Sequence, residues 1–188
     1  MTRVAAGTEV GYTVTFLEMT ARPRWPYPPQ PAGRPATLIA AEDPPPWYFR
    51  ALYDAVGRDY SWEDIHALPE AVLREMLHDP AVTLWTLHRD GWPHGFYLLD
   101  ARAEGTVDLA YFGLVPEAVG TGLGTWLLKT AVLAAWDLPG TRKMTVNTCT
   151  LDHPRALALY QKVGFEVVRR EDRSRVLTRD RDPARIPD

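Results

Sequence analysis

Hydrophobic and polar residues follow two different periods along this chain, and each period predicts a different element. Near alternation of β-branched and aromatic residues predicts a first strand over Val10–Met19. A second strand, Thr37–Glu42, is expected to return beside the first. Five later runs have strand character: Val82–His88, Pro93–Leu99, Val107–Val115, Arg142–Thr148 and Phe165–Arg170. Asp90-Gly91, between the first two of these runs, is a strong hairpin signal.

Apolar residues that recur every three or four positions predict four helices. In chain order these are Trp47–Gly57, Trp62–Leu77 with a break near Pro69, Leu123–Ala135, and a last one from Asp152 or His153 to Gly164. Prolines at the starts and glycines at the ends of these segments are typical of helix boundaries. Together, the pattern predicts a single domain over residues 1–188.

The first helix carries more aromatic residues than one buried stripe can use. Tyr48, Leu52 and Ala55 form its predicted apolar side, which leaves Trp47, Arg50 and Tyr53 elsewhere on the helix. These three residues are therefore expected to line a cavity. The alternative is that they pack under a neighbouring proline-rich loop.

Two segments have no strand or helix pattern. Pro23–Pro35 is proline-rich and is expected to run as an extended surface connection, with docking into a partner's aromatic groove as the less common alternative. Residues 1–46 therefore comprise the amino-terminal strands and this loop. From Glu171 onward, alternating charges predict a solvated tail over about residues 171–188.

The chemistry centres on a strand, a glycine-rich turn and a helix. The apolar strand ends at Pro116, and Gly120, Gly122 and Gly124 follow at alternate positions before the helix. This order directs unpaired N–H groups and the positive end of the helix dipole at one point, where bare glycines let a phosphate approach. The dinucleotide-binding pattern fails at Thr125, and the phosphate loop of nucleotide hydrolases would need G-K-[ST]. A simple tight turn is the remaining alternative.

Composition narrows the function classes. The 188 residues have a net charge of −3, which argues against nonspecific binding to nucleic acid. Cys149 is the only cysteine, so an internal disulfide and a cysteine-based metal site are excluded, and no metal is expected. No apolar run has the length of a signal or membrane segment. The expectation is a soluble, cytoplasmic protein without a membrane partner.

Three successive segments between about Val82 and Phe165 resemble the GNAT superfamily of N-acetyltransferases. LAYFGLVPEAVGTGLG resembles the acyl-CoA pyrophosphate motif Q/R-x-x-G-x-G/A, with Gly122 and Gly124 at its two small positions. KMTVNTC and the helix ending in LALYQKVGF resemble the closing motif L-Y-x-x-x-G-F. The resemblance implies the GNAT fold, a mixed and mostly antiparallel sheet flanked by helices. It also implies transfer of an acetyl group from acetyl-CoA to a primary amine of a small molecule or peptide.

The resemblance also implies where acetyl-CoA binds. The implied cofactor residues are Leu114, Val115, Val119, Gly120, Thr121, Gly122, Leu123, Gly124, Thr125, Asn147 and His153. Two positions depart from the family pattern. Val119 replaces the usual Gln or Arg, so Thr121 or the backbone amides must take over its contact, and His153 stands where the family often has Asn. A homodimer is left open.

The resemblance implies that Tyr160 protonates the departing thiolate. It also implies that the pocket for the acceptor amine is lined by Trp47, Arg50 and Tyr53. Asp108 is favoured as the proton acceptor, with Glu117 and His153 as alternatives, and Cys149 is given no catalytic role. Two other function classes remain open: a non-catalytic acyl-CoA sensor, and an interaction module that uses the proline-rich loop.

Overall fold

Seven strands form one mixed sheet in the computed structural model of this chain, in which residues 3–187 are described. The strands are β1 (Glu9–Met19), β2 (Ala36–Ala41), β3 (Val82–Arg89), β4 (Trp92–Asp100), β5 (Thr106–Leu114), β6 (Lys143–Cys149) and β7 (Glu166–Val176). Their order in space is β2-β3-β4-β5-β6-β1-β7, and β5 with β6 is the parallel pair. The predicted mixed, mostly antiparallel sheet flanked by helices is confirmed.

Four α-helices cover the two faces of the sheet. They are α1 (Pro46–Gly57), α2 (Glu70–Leu77), α3 (Leu123–Asp137) and α4 (Ala156–Val163). On one face, Phe49 of α1 packs edge-on against Phe96 of β4. On the other, Leu114 of β5 approaches α3 and Tyr160 of α4 packs against Phe112. Among the helices of residues 3–187, none has the length and apolar character to cross a membrane.

The turn predicted at Asp90-Gly91 forms as expected between β3 and β4. Both residues have positive φ, 54° and 86°, the conformation that the tightest hairpin turns require. Gly164 likewise ends α4 with φ 111°, as a left-handed cap.

The prediction that β2 lies beside β1 was wrong. β2 pairs with β3 at one edge of the sheet, whereas β1 lies near the other edge between β6 and β7. Neighbouring segments of sequence usually pair, but here the proline-rich loop carries the chain across the sheet. That loop is held against α3, because Trp126 Nε1 donates to the Pro28 carbonyl at 3.2 Å and Lys129 lies 5.1 Å from the centre of the Trp25 ring.

The charged segment that was expected to be a solvated tail begins as a strand. β7 continues to Val176 and pairs along its length with β1. After it, Leu177 is buried and Arg181 donates to the Leu151 carbonyl at 2.8 Å. The charges alternate because neighbouring residues of β7 point to opposite faces of the sheet.

The apolar side of α1 also differs from the prediction. Its buried residues include Phe49, Leu52, Tyr53 and Val56, whereas Ala55 is exposed. The buried side is therefore displaced from the predicted one, because the facing strands offer aromatic partners to Phe49 and Tyr53. The segment predicted as a helix over Trp62–Leu77 breaks near Pro69 as expected, but only α2 after the break is an α-helix, and the part before it is a 3₁₀ turn, Asp64–Ala67. A further 3₁₀ turn, Arg58–Tyr60, follows α1.

Adjacent residues test the fixed position of the carboxyl-terminal segment. Leu177 is 1% exposed, whereas Val176 beside it is 57% exposed. Leu177→Ala should lower the free energy of unfolding by about 2–4 kcal/mol, since it removes buried methyl groups and leaves a cavity. Val176→Ala should change it by less than about 0.5 kcal/mol. Urea unfolding of both variants measures this, and equal, small losses would contradict the buried position of Leu177.

Candidate functional site

The parallel strands β5 and β6 separate part-way along their length. Their pairing covers three positions and ends at Asp108 and Thr145. Beyond that point β5 pairs only with β4 and β6 only with β1, among the described residues. Ala110 bulges out of the β4–β5 ladder, because Leu98 pairs with Tyr111 and Leu99 with Leu109. The inner edges of β5 and β6 therefore face each other across an open gap.

The glycine-rich turn lies between the end of β5 and the start of α3. Gly120 and Gly122 have φ of 77° and 82°, and a Cβ built on either would meet no atom within 4 Å. The N–H groups of residues 120–125 donate no hydrogen bond within the described part of the chain. Six consecutive amides at a helix start form a binding site for an anion such as phosphate.

A cavity of about 680 Å³ connects the gap and the glycine turn. Strands β1, β5, β6 and β7, the turn, α4 and the loop after α1 all contribute to its walls. Of the predicted cofactor residues, it is lined by Leu114, Val119, Gly120, Gly122, Gly124, Thr125, Asn147 and His153. Within residues 3–187 no group of three potential metal ligands lies together.

Three other predicted cofactor residues lie outside the lining. The side chains of Val115 and Leu123 are buried in the hydrophobic core, so they can contribute only main-chain groups. The hydroxyl of Thr121 donates to the Ala118 carbonyl at 2.6 Å. Its proton is therefore used in the turn, which corrects the expectation that this hydroxyl donates to the cofactor.

His153 lines the cavity with both ring nitrogens already in hydrogen bonds. Nδ1 accepts from the Arg155 N–H at 3.1 Å, so the proton lies on Nε2, which donates to the Pro187 carbonyl at 2.9 Å. The last helix begins after Arg155, so neither Asp152 nor His153 is its cap.

Tyr160 lies on α4 with its ring between Phe112 and Phe165, at centroid distances of 6.2 and 6.0 Å. Its hydroxyl has no hydrogen-bond partner in the described part of the protein, and the residue lines the cavity. Burial, and then the charges of Asp152 and Asp108, raise the pKa of Tyr160 well above its ordinary value. The phenol therefore stays protonated at neutral pH and can donate its proton.

Asp108 occupies the point where β5 and β6 part. Its carboxylate accepts a 2.5 Å hydrogen bond from Thr145 Oγ1 and lines a smaller, separate cavity rather than the main one. Burial is the largest effect on its pKa, which it raises; the Thr145 hydrogen bond lowers that pKa in part, and the Asp100 charge raises it. Its charge is near enough to raise the pKa of Tyr160.

Asp152 is a site residue for which sequence reasoning assigned only a cap. Its carboxylate accepts from Trp62 Nε1 at 3.0 Å, and from Thr148 Oγ1 and the Cys149 N–H at 2.8 Å each. It thereby joins the loop after α1 to the end of β6. Burial and the Asp152 charge raise the pKa of the Cys149 thiol to about 11, so the thiol is neutral.

The predicted acceptor residues on α1 lie away from the cavity. Trp47 is 68% exposed, Arg50 Nη2 donates to the Leu68 carbonyl at 3.2 Å, and Tyr53 is buried with its hydroxyl on Asp64 at 2.6 Å. None of the three lines the cavity. Asp64 and Trp62, from the segment after α1, occupy that wall instead. An aromatic surplus in sequence could not locate them, because their direction depends on how that segment folds back.

Several solved structures with this architecture are named as acetyltransferases. A GCN5-related N-acetyltransferase from Sphaerobacter thermophilus is 18% identical, with a TM-score of 0.61 over 93% of this chain and 53% of its own length. One from Kribbella flavida is 18% identical, with a TM-score of 0.56 over 87% of this chain and 59% of its own length. This chain thus spans less than two thirds of either protein.

A third similar structure is an aminoglycoside N-acetyltransferase in complex with CoA. It is 20% identical, with a TM-score of 0.53 over 74% of this chain and 93% of its own length. No curated protein matches the sequence. The model of the acetyltransferase (GNAT) family matches residues 49–165, more than half of the chain. The predicted resemblance is confirmed, and this chain belongs to the GNAT family.

Proposed function

We propose that this protein transfers an acetyl group from acetyl-CoA to a primary amine by direct attack. The observation that carries the proposal is one cavity in which the strand gap, the six unpaired amides and the Tyr160 phenol meet. Each of these three features matches a separate chemical need of the reaction.

The residues present fit acetyl-CoA in two respects. The amides of residues 120–125, with open space before Gly120 and Gly122, suit a pyrophosphate. The unpaired inner edges of β5 beyond Leu109 and of β6 beyond Val146 can pair with an extended, amide-containing arm as a strand would. Leu114 and Asn147 lie on the two sides of that gap.

Acetyl-CoA supplies a thioester, at which an amine forms a C–N bond while the C–S bond breaks. Tyr160 donates its proton to the sulfur that leaves, because its raised pKa keeps the hydroxyl protonated until then. Its ring contacts with Phe112 and Phe165 hold the hydroxyl in the cavity.

Asp108 takes up the proton that the amine loses, directly or through water. The pKa of Asp108 is raised toward neutral pH, which makes its carboxylate a better general base. The alternatives fit less well. Glu117 is exposed, and both nitrogens of His153 are engaged. Asp108 is instead largely removed from solvent at the point where β5 and β6 part, near enough for its charge to act on Tyr160.

Two other functions remain as alternatives, and the structure bears on one of them. An interaction module that uses the proline-rich loop would need that loop free, whereas Tyr27, Trp25 and Pro28 contact α3. A non-catalytic acyl-CoA sensor would bind acetyl-CoA and acetylate no amine. Calorimetric titration with acetyl-CoA, followed by a panel of primary amines, distinguishes all three.

Gly122 tests the anion site. Gly122→Val places a side chain in the open space of the turn and strains a backbone with φ 82°. Gly140→Val is the matched control, because its φ is 81°, its surroundings are equally open, and it lies outside the cavity. Both should lose similar stability, but only Gly122→Val should lose at least about tenfold in acetyl-CoA affinity by calorimetry, about 1.4 kcal/mol. Equal affinities for the two variants would contradict the site.

Tyr160 tests proton donation. Tyr160→Phe keeps the ring contacts and removes the hydroxyl, so acetyl-CoA affinity should stay near wild type while kcat falls about a hundredfold. Tyr97→Phe removes another buried phenol, outside the cavity, and should leave kcat unchanged. Steady-state kinetics and calorimetry on both variants decide, and a fully active Tyr160→Phe protein would sink the assignment.

Asp108 tests the proton acceptor and its pH dependence. Since its folded-state pKa is raised, the stability it contributes is full below the unfolded pKa, about 3.9, and is lost as pH rises through the folded pKa. Asp108→Asn escapes that loss, so relative to wild type it should gain stability with rising pH from about 4 while losing amine acetylation.

Asp100→Asn provides a control of opposite sign, because the Arg102 hydrogen bond lowers the pKa of Asp100. Its loss of stability should be largest at neutral pH and should fade in acid. Urea midpoints from pH 4 to 8 measure both trends. An Asp108→Asn protein with wild-type turnover would show that another group takes the proton.

A further inference from the structure

The cavity has a second wall, formed by β1 and β7, that the reaction described above does not use. Trp136 of α3 contacts the sulfur of Met19 at 3.3 Å, so Met19 faces α3. Side chains alternate along a strand, and Tyr12, Val14 and Phe16 therefore point to the opposite face. All three line the cavity there.

Arginines of β7 stand over these aromatic rings. Phe16 pairs with Arg169 and Tyr12 pairs with Arg173 in the β1–β7 register. The guanidinium carbon of Arg173 lies 5.7 Å from the Phe16 ring centre, and that of Arg175 lies 5.7 Å from the Tyr12 ring centre. Both arginines line the cavity, and stacking on aromatic faces limits their freedom before any ligand arrives.

These arginines retain donors for a ligand. Glu171 is shared between Arg169 and Arg173, so one carboxylate faces two guanidinium groups. Arg173 uses Nε and Nη2 for that contact, and its Nη1 has no hydrogen bond within residues 3–187. Arg175 Nη1 donates to the Ser61 carbonyl at 2.6 Å, and its Nη2 is 3.8 Å from Glu63. The wall therefore has more positive than negative charge.

Two carboxylates line the same cavity. Asp64 lines the cavity, and hydroxyls of Tyr53 and Tyr111 donate to its two carboxylate oxygens. Asp152, held by its three donors, lines the same cavity. The acceptor half of the cavity thus contains both carboxylates, Asp64 and Asp152, and guanidinium groups, with Arg155 in the lining beside Arg173 and Arg175.

We propose that the acceptor is an amine that also carries an anionic group, and that Arg173 and Arg175 bind that group. This inference rests on the proposed acetyl transfer. The ammonium is drawn to the side of Asp64 and Asp152, while a carboxylate or phosphate accepts from the arginines. A guanidinium fork recognises either anion, so the shared chemistry is a compact oxyanion.

The spacing of the strands indicates the size of such an acceptor. The backbone of β7 is two strands away from β6, but the guanidinium carbon of Arg173 lies 5.7 Å from the ring of Phe16 on β1, the strand next to β6. The proposed acetyl transfer takes place beside β6, so the separation is one to two strand spacings, about 5 to 10 Å at roughly 4.8 Å per strand. The anionic group therefore lies several bonds from the amine. An ω-amino acid fits this spacing better than an α-amino acid does.

Matched pairs of acceptors test the proposal. With the full chain and acetyl-CoA, 4-aminobutanoate and 6-aminohexanoate are compared with their uncharged primary amides, and 2-aminoethyl phosphate is compared with ethanolamine. At least one anionic acceptor should exceed its neutral partner about tenfold in kcat/KM, as expected for a charge-assisted contact. Whether the carboxylates or the phosphate show the larger ratio distinguishes the two anions.

Arg173→Gln should lower the ratio of the two kcat/KM values about tenfold, so that the anionic acceptor and its neutral partner react almost equally well. Arg170→Gln is the matched control, since Arg170 lies on the same strand with its side chain on the other face and outside the cavity lining, and it should keep the wild-type ratio. Equal effects of the two substitutions would overturn the proposal.

Failure of the inference is distinguishable from failure of the proposed function. If acetyl-CoA binds and neutral amines react as well as anionic ones, acetyl transfer stands and the anion site is wrong. If acetyl-CoA does not bind, both are wrong. If it binds without turnover, calorimetric titration of the acetyl-CoA complex with 6-aminohexanoate and its amide still decides, because equal affinities would overturn the anion site and tighter binding of the acid would support it.

Discussion

The separation of β5 from β6 is the feature on which the rest of the site depends. Each strand has its own antiparallel partner on the far side, β4 and β1, so each can leave the other without leaving the sheet. The bulge at Ala110 turns β5 away, and Gly113 lets α1 pack closely, since a Cβ there would lie 2.3 Å from Val56 Cγ1. Unpaired main-chain groups in the gap are costly unless a ligand or water pairs with them, so the fold itself provides a binding edge.

The same separation divides the chemistry between the two faces of the sheet. Side chains alternate along β1 and β5, so Met19 and Phe112 face the helices α3 and α4, and the glycine turn and Tyr160 lie on that side of the sheet. The wall of the cavity that contains Arg173 and Arg175 lies on the other side. The gap joins the two faces, and the acetyl transfer proposed above would take place there. Asp152 secures this junction, because it holds Trp62, from the loop after α1, to the end of β6.

Sequence periodicity and turn chemistry were sufficient for the elements that depend on local interactions. The hairpin at Asp90-Gly91, the glycine turn before α3 and the cap at Gly164 each need only a few adjacent residues with particular backbone freedom. The motif that contains Tyr160 belongs to the same group, because a short helix and its closing Gly164 set its geometry. Most of the predicted cofactor residues line the cavity for this reason.

Long-range packing decided the rest. Alternating charges after Glu171 have the same pattern in a solvated tail and in a strand, and only pairing with β1 shows that Arg173 and Arg175 face the cavity. The buried side of α1 depends on which aromatic residues the sheet presents to it, so Trp47 was placed wrongly. Asp152 became a site residue because Trp62, 90 residues away in sequence, donates to a carboxylate that the nearby Thr148 and Cys149 already hold. The sequence by itself thus determined the local elements and the glycine turn, whose interactions lie within a few residues. Tertiary structure alone decided the walls of the cavity, because the direction of a side chain depends on partners that no local pattern specifies.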